Sequence, residues 1–225
     1  MNVLDKQRNG MYNENRTNVR DICVTGGLMK EQSIDVYENL PVLESDHFLL
    51  RGVQMEDCED LLAVYSDPQA WPFFNADNCN GDLFHYDTLE KMKQAIGFWL
   101  MSYRERWFVR WSIIDKACNK AVGTVECFQR EANDSFNHEG VLRLDLQSSY
   151  ETELVIEELV AVLLVHVYDL FDCDRVITKV VPEAHQRLAA VSKLGFHPAN
   201  ECLIGHDGTA YGNYYEISRN SATVS

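Results

Sequence analysis

The chain has 225 residues, enough for one well-buried core or at most two small ones. Hydrophobic residues make up 46% and charged residues 24%, the balance of a soluble globular protein. The net charge of −15 argues against nucleic acid and anionic membrane as partners, since both repel such a surface. Seven cysteines (Cys23, Cys58, Cys79, Cys118, Cys127, Cys173 and Cys202) include no CxxC pair. With an N-terminal stretch that lacks an apolar core, they fit reduced thiols and a cytoplasmic location. The densest apolar run, residues 154–171, is interrupted by Glu157, Glu158, His166 and Asp169 and does not read as a membrane span.

Residues 1–39 are rich in Asn, Asp, Arg and Gly, show no sustained period, and read as a flexible extension. A folded domain is expected over 40–219, with 220–225 as a short tail. HFLLRGV (47–53) predicts a strand. Cys58, Leu61, Leu62 and Tyr65 then follow helical spacing until Pro68. Residues 71–86, WPFFNADNCNGDLFHY, form a long loop dense in aromatic rings. Asp87 and Glu90 suggest a capping box for a second helix with the stripe Leu89, Met92, Ile96, Trp99, Leu100 and Tyr103. WFVRWSII (107–114) and AVGTVECFQR (121–130) alternate with period two around the turn DKACNK and predict a hairpin. GVLRLDLQ (140–147) predicts a strand, 153–171 a helix apolar nearly all round and so deeply buried, and RVITKVV (175–181) a strand. Residues 184–195 predict a helix ending at Gly195, and ECLIG with YGNYYEIS predicts a last hairpin turned at Asp207-Gly208. The strand–helix–strand unit near 141–181 requires a parallel pair with a right-handed crossover.

This order resembles the GNAT superfamily of acetyl-CoA-dependent N-acetyltransferases. LLRGVQMEDCEDLLAVYSDPQAW is similar to the opening of the branch that acetylates ribosomal-protein and other N-termini. IIDKACNKAVGTVECF resembles that branch's central hairpin, and VVPEAHQRLAAVSKLGF its last strand-to-helix segment. The resemblance covers residues 40–218. It implies a single α/β domain with a mixed, mostly antiparallel sheet flanked by helices. The central parallel pair would be the fourth and fifth strands, at 140–147 and 175–181. It further implies acyl transfer from acetyl-CoA, as co-substrate, to a primary amine of a small molecule or a peptide N-terminus. The alternative is a GNAT-fold module that binds a ligand or protein without turnover.

Within the resemblance, LQSSYETELVIEEL (146–159) is the acetyl-CoA loop, and its signature departs from the family's pattern. Ser149, Thr152 and Leu154 stand where Gln or Arg, Gly, and Gly or Ala are expected; Ala184 replaces a frequent Asn, and Val191 a tyrosine acid. The cofactor would run along the backbone of Leu144 and Leu146 and meet Ser149, Tyr150, Glu151, Thr152, Glu153 and Leu154. Missing glycines, two carboxylates beside a pyrophosphate and a possible Ser148–Glu151 capping box together weaken binding by about 3–4 kcal/mol, more than a hundredfold.

On GVLRLDLQ, Arg143 and Asp145 share one strand face. Asp145 either faces the acceptor cleft, where it binds the amine or receives its proton, or forms a buried ion pair with Arg143 or Lys179. Glu126 is a second candidate base, expected on a solvated face, and Ser192 a candidate acid on a helix surface. Trp71, Phe73, Phe74, His85 and Tyr86 either cover an acceptor pocket or staple the loop to the core. The seven histidines show no metal spacing with cysteine or carboxylate, so no metal is expected.

Overall fold

The computed structural model describes residues 35–219. The expected extension therefore lies mostly outside the described residues, but 35–39 belong to the packed domain. Val36 is buried, its carbonyl accepts from the Tyr103 hydroxyl at 3.0 Å, and Asp35 pairs with Arg106 at 2.6 Å.

An eight-stranded sheet organises the domain. Its strands are β1 (Leu43–Glu44), β2 (Phe48–Gly52), β3 (Val109–Asp115), β4 (Lys120–Gln129), β5 (Gly140–Leu146), β6 (Arg175–Lys179), β7 (His197–Pro198) and β10 (Tyr214–Ser218). A separate short pair holds β8 (Leu203–Ile204) and β9 (Ala210–Tyr211). The sheet order is β1-β2-β3-β4-β5-β6-β10-β7. Every pairing is antiparallel except β5 with β6. The parallel pair falls on the expected segments, but as the fifth and sixth strands, because β1 adds one at the start. The expected last hairpin divides: Asp207 and Gly208 turn the chain between β8 and β9, while β10 joins the main sheet beside β6.

The helices are α1 (Cys58–Tyr65), α2 (Leu89–Arg104), α3 (Glu153–Leu164), α4 (Val167–Leu170) and α5 (His185–Lys193). Leu142, Leu144 and Leu146 of β5 bury one sheet face in the same core as Ile156, Leu159, Val160 and Leu163 of α3 and Ala190 and Val191 of α5. The opposite face meets α1 and α2, where Tyr65 and Trp99 reach the sheet's polar side chains. The α2 cap lies one residue later than its sequence suggested: Thr88 accepts from the Lys91 N–H, while Asp87 pairs with the Lys91 ammonium at 2.7 Å. The single helix expected over 153–171 is interrupted at Val165–His166. Nor is it buried all round, since Leu154 and Val165 are 74% and 71% exposed.

Three consecutive pairs hold β5 to β6: Gly140 with Val176, Val141 with Ile177, and Leu142 with Thr178. Beyond Leu142 the strands part, and β6 continues against β10 through Lys179–Tyr214. The parting leaves backbone groups of β5 from Arg143 onward without a neighbouring strand on that side. Gly123 permits close approach across β4 and β5; a Cβ built there would lie 2.3 Å from the Asp145 carbonyl oxygen.

Candidate functional site

Two sets of polar residues meet near the parting. The first lies on the α1–α2 face of the sheet. Strand register aligns Arg110 of β3 with Glu126 of β4, and Glu126 with Arg143 of β5. The next row is Ser112, Thr124 and Asp145. The first row thus alternates in sign across three strands, and all its members are buried. Arg110 and Arg143 donate to separate oxygens of Glu126, the Arg143 bond measuring 2.8 Å. Asp145 accepts from the Tyr65 hydroxyl at 2.9 Å and from Arg110 Nη1 at 3.3 Å, all through Oδ2. The other oxygen, Oδ1, is buried without a hydrogen-bond partner among the described residues.

This arrangement corrects two expectations. Glu126 is not on a solvated face: α1 and α2 cover that side of the sheet, and it is 2% exposed. Asp145 pairs with Arg110, not with Arg143 or Lys179. Arg143 is held by Glu126 and the Asp77 carbonyl, and Lys179 reaches the Asp77 carboxylate at 2.6 Å. Burial alone would raise the Glu126 pKa, but the charges of Arg110 and Arg143 outweigh it and hold the carboxyl below its usual range. At Asp145 burial wins over the more distant Arg110, and the pKa is raised.

A cavity of about 20 Å³ lies beside this network, lined by Cys79, Asn80, Phe84, Phe98, Trp99, Phe108, Arg110, Glu126 and Arg143. That volume holds little more than a water molecule. Trp71, Phe73, Phe74, His85 and Tyr86 are not among its walls. Trp71 stacks on His85 at 4.0 Å and its indole N–H donates to the Tyr65 carbonyl. Phe74 and Tyr86 pack on the Tyr65 ring, and Tyr86 donates to Asp82 at 2.8 Å. Ser192 is on the exposed face of α5.

The second set surrounds the turn between β5 and α3. Residues Ser148–Tyr150 form a 3-10 turn, and Thr152 precedes the helix. The expected Ser148–Glu151 capping box does not form. The Ser148 N–H goes to Asp67, those of Tyr150, Glu151 and Thr152 go to carbonyls within the turn, and that of Glu153 goes to the Gln186 side chain at 3.0 Å. Ser149 is exposed, as are Thr152 and Leu154, and the Tyr150 hydroxyl donates to Asp115. The side chains of Leu144 and Leu146 are in the core.

Glu151 takes both oxygens to Arg187, whose Nε and Nη2 donate at 2.7 Å each. Arg187 Nη1 donates to the Leu144 carbonyl at 2.9 Å and to the Phe73 carbonyl at 3.1 Å. Arg187 is 3% exposed. Its guanidinium therefore bonds the freed edge of β5, just where β6 has left it. The sequence signal was an arginine on the stripe Arg187, Ala190, Val191, the buried side of α5; a buried guanidinium needs a carboxylate.

A family model described as an acetyltransferase (GNAT) domain matches residues 47–197. The chain belongs to this family. Solved structures with the same fold include a GNAT-family acetyltransferase from Bacillus anthracis, 14% identical, covering 80% of this chain and 99% of its own, with a TM-score of 0.59. A ribosomal-protein-S5-alanine acetyltransferase from Vibrio fischeri is 16% identical over 82% of this chain and 100% of its own, with a TM-score of 0.58. A ribosomal L7/L12 α-N-protein acetyltransferase in complex with coenzyme A is 14% identical over 80% and 99%, with a TM-score of 0.60. No curated protein matches. Among the described residues no helix is long and apolar enough to cross a membrane, and no group of three or more His, Cys, Asp and Glu side chains could hold a metal ion.

This GNAT domain belongs to a family that transfers acetyl groups from acetyl-CoA, and the protein's own side chains take up backbone groups at the turn that the sequence resemblance assigns to that co-substrate. The Leu144 carbonyl is committed to Arg187, and the Glu153 N–H to Gln186. The Glu151 carboxylate stands at the same turn.

Proposed function

We propose that this GNAT domain is a ligand- or protein-binding module that does not turn acetyl-CoA over. The observation that supports this reading is the Arg187 guanidinium, buried between the turn and the freed edge of β5. Admitting a cofactor means separating a buried, bidentate ion pair. Breaking such a pair costs about 3–5 kcal/mol, roughly two to four orders of magnitude in affinity. The side chain that was freed would leave Glu151 facing the incoming phosphates. The reading places the protein in the cytoplasm, where free thiols such as those of Cys58, Cys79, Cys118, Cys127, Cys173 and Cys202 stay reduced.

A second reading, acyl transfer from acetyl-CoA to a primary amine on a small molecule or a peptide N-terminus, is favoured by one specific observation. Asp145 Oδ1 is the carboxylate oxygen of the buried network that has no hydrogen-bond partner among the described residues, and burial raises the pKa of its group. Both features suit a base that takes an amine proton. Glu126 suits it less, since both its oxygens are held by arginines. Release of free coenzyme A thiol, followed with peptides bearing Ala or Ser N-termini and with small amines, separates the readings. Release no faster than without protein is the expected result. Protein-dependent release abolished by Asp145→Asn would overturn the binding-module reading and establish the second.

A further inference from the structure

We infer that the cavity beside the Arg110–Glu126–Arg143 row is a binding site for one small monovalent anion of the size of chloride. It lies on the α1–α2 side of the sheet, opposite the face that packs on α3 and α5. Arg110 and Arg143 both line it, and both are buried, 3% and 7% exposed. Their terminal nitrogens are fully committed. Arg110 donates through Nη1 to the Tyr65 hydroxyl at 2.9 Å and to Thr124 at 3.0 Å, and through Nη2 to Glu126. Arg143 donates through Nη1 to Glu126 and through Nη2 to the Asp77 carbonyl, each at 2.8 Å. The Nε–H of each guanidinium, by contrast, has no hydrogen-bond partner among the described residues. A buried donor in that state carries the full cost of its desolvation, so two of them at one cavity point to a ligand that accepts.

The walls select an ion over a water molecule. Both unpartnered groups are donors, and the acceptors beside them are taken. Each oxygen of Glu126 receives an arginine, and Cys79 Sγ receives Arg143 Nη1 at 3.4 Å while its own thiol donates to the Asp77 carbonyl. Phe84, Phe98, Trp99 and Phe108 add no side-chain acceptor. A water held by both Nε–H groups would have to bury its own two hydrogens, whereas a halide only accepts. Charge points the same way. The row sets two guanidiniums against one carboxylate, and burial disfavours the charged form of Asp145, the other carboxylate in contact with Arg110. One anion balances the remaining positive charge, in surroundings dry enough to strengthen the attraction. The volume of about 20 Å³ sets the size: chloride is little larger than water, and phosphate or sulfate would not enter. Asn80, the exposed member of the wall, marks where the ion enters.

The test is the melting temperature of the full chain in sodium chloride and in sodium gluconate at equal ionic strength, since gluconate is too large for the cavity. Chloride at about ten times its dissociation constant, bound to the folded state alone, shifts the folding equilibrium about elevenfold. In a domain of this size that raises the melting temperature by roughly 3–6 °C. We expect a chloride-specific rise of this order that saturates with concentration, and a similar one from bromide. Crystals soaked in bromide should show an anomalous peak within hydrogen-bond distance of Arg110 Nε and Arg143 Nε. Arg143→Lys keeps the charge and removes that Nε–H, and the folded variant should lose the chloride-specific rise. Equal melting temperatures in the two salts, or a cavity free of anomalous signal, would overturn the inference and leave water as the occupant. A chloride-specific rise that Arg143→Lys leaves intact places the ion elsewhere and overturns it equally. Should Arg143→Lys not fold, the bromide-soaked crystal of the unmodified chain decides.

Discussion

Substituting the two buried carboxylates one at a time separates the member that holds the Arg110–Glu126–Arg143–Asp145 network from the one that is merely enclosed in it. Glu126 accepts from both arginines, one through each oxygen. Glu126→Gln would leave two buried guanidiniums facing an amide, and the cost of stranding a buried charge is about 3–5 kcal/mol. Asp145→Asn is different. An amide oxygen can still accept from the Tyr65 hydroxyl, and Arg110 keeps its stronger partner Glu126. Because burial already disfavours the charged form of Asp145, the neutral isostere forfeits little more than one hydrogen bond, about 0.5–1.5 kcal/mol. Urea unfolding at pH 7 measures both. In a domain of this size the first change lowers the melting temperature by roughly 6–20 °C and the second by at most about 6 °C. An Asp145→Asn variant as unstable as Glu126→Gln would refute the assignment of Glu126 as the hub.

The pH dependence follows from the same residues. Glu126, and the buried Asp57 in its pair with Arg51 at 2.6 Å, have depressed pKa values, so the stability they contribute is complete above their unfolded values and is lost as pH falls through the folded ones. Stability should therefore drop below about pH 4.5, and Glu126→Gln should flatten that drop in acid unfolding curves. At Gly123 a methyl group would meet the Asp145 backbone oxygen, which cannot swing aside as a side chain could. Gly123→Ala should lower the thermal midpoint by more than about 4 °C; an unchanged midpoint would mean that β4 and β5 do not approach as closely as described.

Much of the architecture was legible because local periods encode it. The alternation through β3 and β4, the apolar stripe of α2 and the glycine that ends α5 are set by residues two to four positions apart. Gly195 has the positive φ of +94° that its place after the helix requires. The parallel pairing of β5 with β6 was also anticipated, from the strand–helix–strand order. Less legible was anything decided by pairing across the chain. Alternation placed Glu126 on one side of β4, but only the packing of α1 and α2 determines that this side is interior. Register then places Arg110 and Arg143 opposite it. The departures from the family's loop pattern were visible at Ser149, Thr152 and Leu154, and Glu151 was read as a repulsive charge beside a phosphate. That Glu151 is instead a salt-bridge partner depends on Arg187 from a separate helix. The uniform hydrophobicity of residues 154–171 concealed both the interruption at Val165–His166 and the exposed Leu154, because a helix apolar on every side gives no face to read.

Titration of the unmodified full chain with acetyl-CoA at pH 7 addresses the central claim, that the cleft is filled by the protein's own side chains. Separating the Arg187–Glu151 pair should leave a dissociation constant in the millimolar range or weaker, with heats close to those of dilution. A dissociation constant in the low micromolar range would show that Arg187 yields readily to the co-substrate, and would contradict the account.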